Sequence, residues 1–302
     1  MKLRPLLPAA IILSATLASS AIARQQEAPK PLLQPAPGLS AVDPQLNDTL
    51  DRIEAADKTL TNLTAPIRLI RRFPAIQGGG EHTRYGTIFY ETKSSGAGQP
   101  PLRKFSLKFE TLDVRAAEGQ EAARREDKQS FTFDGTWLLE TREDGKFFVK
   151  RRIVAPGVIK DPVRIGEGPF PLPVGQRKMD MLERFNITIV QPLDQAPEKP
   201  DALRALLSKC IQLRLVPKVD TPGARDFREI RLWYRATDLM PIFAKTVNLD
   251  DSSSEVFLIL KDGWDKPVSP AVFSTTPPPA EEGWKGDIIE QVPGNAAPTI
   301  TK

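Results

Sequence analysis

Between Asp226 and Lys261 apolar and charged residues alternate in three runs separated by two short polar turns. A period of two sends successive side chains to opposite faces of a strand, so this stretch predicts three antiparallel strands with one oily and one wet face. The same alternation predicts strands at residues 83–92, 102–114, 130–133, 137–141 and 147–154. Asp134-Gly135 and Asp144-Gly145 supply the dipeptide that tight hairpins favour. Helical spacing appears where Asp43 and Pro44 precede Leu46, Leu50, Ile53, Leu60 and Leu63, which predicts a capped helix over 44–64. Shorter helices are expected at 176–185 and 199–209, with strands at 186–190 and 210–217.

Two stretches break the alternation. Residues 115–127 are densely charged and read as an exposed excursion. Residues 155–175 are rich in Pro and Gly yet carry Val158, Ile159, Val163, Ile165, Phe170, Leu172 and Val174. A connection that long is either a lid over an apolar face or a plug that completes the core, and both readings stand.

Composition narrows the class. The 302 residues, 40% hydrophobic, can form one sizeable core, and 29 prolines suit edges and loops better than an all-helical protein. Lys2 and Arg4 precede an apolar run, and Ala21-Ile22-Ala23 supplies small residues before Arg24, so residues 1–23 read as a signal peptide. An uncleaved anchor is the alternative, although the run is short for a bilayer span. Residues 24–42 form a Pro- and Gln-rich linker, 43–275 the folded domain, and 276–302 a Pro-rich tail expected to be flexible. The formal charge of +4 falls further when Lys2 and Arg4 leave with a leader, so nucleic acid is not an expected partner. One cysteine, Cys210, excludes an internal disulfide, and it reads as a buried small hydrophobe.

Catalytic patterns are weak. His82 is the only histidine and has no partners at metal-ligand spacing; a loop position is expected for it. Gly78-Gly79-Gly80 lacks the Lys-Ser/Thr of a phosphate loop, and no Gly-x-Ser-x-Gly elbow exists. Asp250, Asp251 and Glu255 flank three serines without a calcium-loop pattern and read as a hairpin tip. No cofactor, no metal and no enzymatic activity are expected.

Taken in order, the pieces are similar to the outer-membrane lipoprotein carrier family, the LolA-like fold. An amphipathic first helix is followed by GTIFYE, by the hairpin Phe131-Thr132-Phe133-Asp134-Gly135-Thr136-Trp137-Leu138, by the strand Leu213-Arg214-Leu215-Val216-Pro217-Lys218, and by an ending from Phe273 to Pro278. The resemblance spans roughly residues 44 to 284 and implies a mainly β (α+β) fold, a half-open antiparallel β-barrel of about eleven strands with short helices over its concave face. It further implies a monomeric, periplasmic, non-catalytic carrier for lipoprotein acyl chains or another lipid. Its partners would be an inner-membrane release complex and an outer-membrane acceptor. Cavity candidates are Phe89, Phe105, Leu107, Phe109, Trp137, Leu139, Phe147, Val149, Phe170, Leu172, Trp233, Phe243, Val247 and Phe257, although alternation does not decide which set faces inward. The carriers place an arginine before the proline opening the second strand. Here Gln99 precedes Pro100, the nearest basic residue is Arg103, and the latch is not carried over. A sensor or scaffold binding a protein partner through the same fold is the alternative, followed by an unrecognised envelope enzyme.

Overall fold

The computed structural model describes residues 43–96, 101–117, 119–155, 174–261, 263–290 and 299–301. Helix α1 (Pro44–Thr59) is capped by Asp43, whose carboxylate accepts from the amides of Gln45 and Leu46. The helix stops five residues before the expected end. Asn62–Arg72 instead form strand β1, with Leu63, Ala65, Ile67 and Leu69 buried in alternation. Pro66 hides this strand from a sequence reading, yet costs the sheet little. Both backbone polar groups of a strand residue point to the same neighbour, and the Pro66 carbonyl accepts from the Ile259 amide, past the last paired residue of that neighbour. The missing donor therefore faces the end of a ladder rather than its middle.

Six further strands and two helices carry the chain onward: β2 (Glu81–Lys93), β3 (Leu102–Arg115), β4 (Ala123–Phe133), β5 (Trp137–Arg142), β6 (Phe147–Arg152), α2 (Lys178–Arg184), β7 (Phe185–Val190) and α3 (Asp201–Leu207). β8 (Cys210–Pro217), β9 (Phe227–Arg235), β10 (Pro241–Asn248) and β11 (Ser253–Leu258) follow, then β12 (Lys285–Glu290) and β13 (Thr299–Thr301). All belong to one open sheet of 13 strands, in the order β13-β12-β6-β5-β4-β3-β2-β1-β11-β10-β9-β8-β7. The architecture is mainly β with an unclosed sheet and short helices, as expected, although with more strands. β1 and the two C-terminal strands are the ones that the alternation did not predict.

The charged stretch 115–127 is less of an excursion than its composition suggests. β3 and β4 extend into it, paired from Thr111–Glu126 to Val114–Ala123, and Arg124, Arg125 and Glu126 lie on the exposed end of β4. The tail also differs from expectation, because the domain does not end at 275. β12 pairs in parallel with β6, the one parallel pairing among the described residues. Gly286 permits this: a β-carbon there would lie 2.0 Å from the Phe148 carbonyl oxygen.

The two faces of the sheet are covered differently. On the face that bears α1, one cluster joins Leu63, Ile67, Ile88, Tyr90, Leu107, Phe133, Val256 and Leu258. A second joins Leu46, Leu50 and Ile53 of α1 to Met181 of α2 and to Leu213, Leu215, Ile230, Leu232 and Tyr234. The opposite face is covered at one end by α3, where Leu203 and Leu207 pack with Cys210, Trp233, Ile242 and Phe243.

Candidate functional site

The helix-bearing face is the candidate cavity surface. Pairing register and strand alternation place Phe105, Leu107, Phe109, Phe147 and Val149 on it. Phe105, Leu107 and Phe109 are buried, whereas Phe147 is 42% exposed. Phe89, Trp137, Leu139, Trp233, Phe243, Val247 and Phe257 lie on the opposite face. There Trp233 and Phe243 stack edge to face at 5.0 Å, and the indole N–H donates to the Pro192 carbonyl at 2.7 Å. Trp137 lies under the cations of Lys150 and Arg152. Alternation separates two sets without saying which is inside, and Trp233, Phe243 and Phe257 of the outer set serve the α3 layer instead. Phe170 and Leu172 lie outside the described residues, as do Gln99 and Pro100.

Helix-facing residues that the candidate set omits include Ile88, Tyr90, Leu138, Leu232, Tyr234 and Val256, all buried. Their signal was present as the alternate parity of the same strands. Between α1 and the β9–β10 turn only about 10 Å³ remains beside Ile53, Asp57, Leu60 and Tyr234, so the protein's own side chains fill this part of the face.

Polar contacts fasten α1 over that apolar floor. Arg103 on β3 is 3% exposed; its Nη2 donates to Asp57 Oδ2 at 3.0 Å, and its Nη1 donates to the Gly175 carbonyl. Asp57 Oδ1 accepts the Gly175 amide at 2.6 Å. Gly175 has φ of +78°, and a β-carbon there would lie 2.5 Å from Arg103 Nη1. One turn earlier, Glu54 accepts from the Lys178 amide at 3.0 Å, and Lys178 Nζ reaches Asp51 at 2.7 Å. Burial pushes the Glu54 carboxyl upward, but Lys58 and the Lys178 amide outweigh it and hold the group below its ordinary range. Arg103 thus joins helix, strand and the returning chain, a role that its separation from Gln99-Pro100 in sequence concealed.

At the other end of the same face a cavity of about 210 Å³ stays open. Leu69, Phe109 and Phe131 form an apolar wall, with the two rings 6.5 Å apart at 78°; Arg71, Arg84, Gln129, Glu140 and Arg142 complete the lining. Arg84 Nε donates to Asp127 at 2.9 Å. Glu140 accepts from Gln129 at 3.0 Å and from Arg142 at 2.9 Å, and Arg151 stands 3.8 Å away.

Groups that could do chemistry sit elsewhere. His82 lies in β2 rather than in a loop, edge-on to Phe73 at 5.0 Å, because its segment pairs with both β1 and β3. Burial, then the charges of Arg84, Arg125 and Arg71, push its imidazole below the ordinary range, against a smaller opposing pull from Asp127. Cys210 is buried, and its thiol is pushed up to about 11 by that burial. Asp250 is in a turn, held by Ser252 and Gln77, but Glu255 is buried on the sheet against Arg72 rather than at the tip. Among the described residues no three His, Cys, Asp or Glu side chains form a group that could hold a metal ion, and no helix is long and apolar enough to cross a membrane.

No protein-family model and no curated protein matches the chain. Solved structures similar to it include LprF from Mycobacterium bovis, with 14% identity over 75% of this chain and 96% of that one, TM-score 0.35. They also include a DUF1329 family protein from Desulfovibrio piger, with 13% identity over 76% and 95%, TM-score 0.34. A third is a LolA superfamily protein from Nitrosomonas europaea, with 9% identity over 76% and 97%, TM-score 0.26.

Proposed function

We propose that this protein is a non-catalytic carrier or binding protein for acyl-bearing cargo, a lipidated protein or another lipid, held on the helix-bearing face of the open sheet. The observation that carries the proposal is the construction of α1: three aliphatic side chains inserted into the face, and a polar fastening at Asp57, Arg103 and Gly175. A helix held in this way can lift as a unit and leave an apolar floor for an acyl chain. Each buried methylene contributes about 0.8 kcal/mol, so even a partly enclosed chain is held in water. The leader-like residues 1–23 support export, and a periplasmic carrier must shield such chains between membranes.

Native mass spectrometry of the exported protein tests this reading. Co-purified acyl ligand, released on denaturation, is the expected result. Protein that emerges empty and takes up no fatty acid or lipopeptide in solution contradicts it, and a stoichiometric protein complex in its place points to a sensor or scaffold.

A further inference from the structure

We propose that the open cavity between β1 and β5 binds the phosphate or carboxylate group of an anionic amphiphile, whose acyl chain runs along Leu69, Phe109 and Phe131 toward α1. The proposal rests on the lipid-binding reading of this face and adds a headgroup class to it. Three guanidiniums, those of Arg71, Arg84 and Arg142, line the cavity against one carboxylate, that of Glu140. Asp127 lies bonded behind Arg84, and Arg151 offsets it beside Glu140, so positive charge remains in excess.

Arg71 is the telling residue. It is only partly exposed and makes no ion pair or side-chain hydrogen bond among the described residues. Glu140, the nearby carboxylate, is already engaged by Gln129 and Arg142. Burial and the neighbouring Arg84 both disfavour the charge on Arg71, with Glu140 only partly compensating. A guanidinium kept desolvated without an anion is unfavourable, and a carboxylate or phosphate completes it by presenting two oxygens to a pair of parallel N–H donors. The apolar wall beside the cations explains why an amphiphile suits the space better than a bare ion. Charge at one end and aromatic surface at the other match a molecule with the same division.

The test compares dodecyl phosphate, dodecanoate, dodecanol and inorganic phosphate by isothermal titration on the full exported chain. We expect both anionic amphiphiles to bind about tenfold or more tightly than dodecanol, the difference that charge-assisted hydrogen bonds supply. Arg71→Gln should erase that preference and Arg71→Lys should retain part of it. Gln129→Glu, which adds negative charge without removing an arginine, should also weaken both anions relative to dodecanol. Dodecanol binding as tightly as the anions, with that parity unchanged in all three variants, overturns the headgroup site and leaves the lipid-binding reading intact. Inorganic phosphate binding as tightly as dodecyl phosphate assigns the cavity to a free ion and overturns the amphiphile. Absence of binding by all four probes, in protein that does carry lipid by mass spectrometry, likewise overturns the site.

Discussion

Arg103 connects three separate stretches of chain through one guanidinium: its own strand β3, Asp57 near the end of α1, and Gly175 on the returning segment. Replacing it with leucine dismantles a buried charge pair and should lower stability by about 3 kcal/mol, read as a shift of the urea midpoint at constant slope. Gly175→Ala probes the same node without removing a charge. The left-handed backbone and the 2.5 Å approach to Arg103 both oppose a methyl group, and a loss of at least about 1 kcal/mol is expected. A melting curve that matches wild type for either variant contradicts the fastening role. Cys210 gives an independent check on burial. With its thiol pushed up to about 11 and donating to the Leu206 carbonyl, it should resist thiol reagents at pH 8 in the folded protein and react fully in denaturant. Rapid labelling of the native protein would contradict the packing of α3 against β8.

Elements show how local patterns are fixed by their surroundings. The β9–β11 meander was legible because its turns are short and its alternation strict, and β8 likewise. The face of each strand was not legible: Trp233 and Leu232 are adjacent and equally buried, one under α3 and the other under α1. Only tertiary covering distinguishes them. The same covering explains a polar network that composition could not reveal. Arg214 and Arg231 each donate to Glu229 at 2.6 Å, and Arg231 reaches Asp194 at 2.8 Å, tying β8 and β9 to the connection before α3. Burial pushes the Glu229 carboxyl upward, but the two arginines outweigh it and hold the group below its ordinary range. A depressed carboxylate contributes stability that is fully present above its unfolded value, about pH 4.3, and is lost as pH falls through the folded value. Glu229→Gln should therefore be destabilising at pH 7, with the gap to wild type narrowing below about pH 4. A gap of constant size across that range, measured by chemical denaturation at each pH, would place the stabilisation outside this ion cluster.

On the scale of the whole molecule, an open sheet has two edges, and each must be blunted to avoid pairing with other chains. The order of strands from β1 to β6, and from β7 to β11, follows the order of hydrophobic runs in the sequence, which is why the general architecture was accessible. The closing of the β6 margin was not, because β12 is a short strand set between Pro- and Gly-containing stretches, and a parallel partner drawn from the far end of the chain leaves no local signature. β12 nevertheless covers β6 from Phe147 to Arg151, and Gly286 is the position where the backbones approach so closely that any side chain must displace the Phe148 carbonyl. Ending the chain after Thr276 removes β12 and bares a strand containing Phe147, Phe148 and Val149. Such an edge is a template for intermolecular pairing, so the shortened protein should self-associate in light scattering at concentrations where the full chain is monodisperse. Gly286→Val in the full chain should reproduce the effect, since it retains every other tail residue and breaks only the close approach. If both proteins stay monodisperse with unchanged melting, β12 is dispensable to the sheet and the margin at β6 is protected by its own charges, Lys150, Arg151 and Arg152.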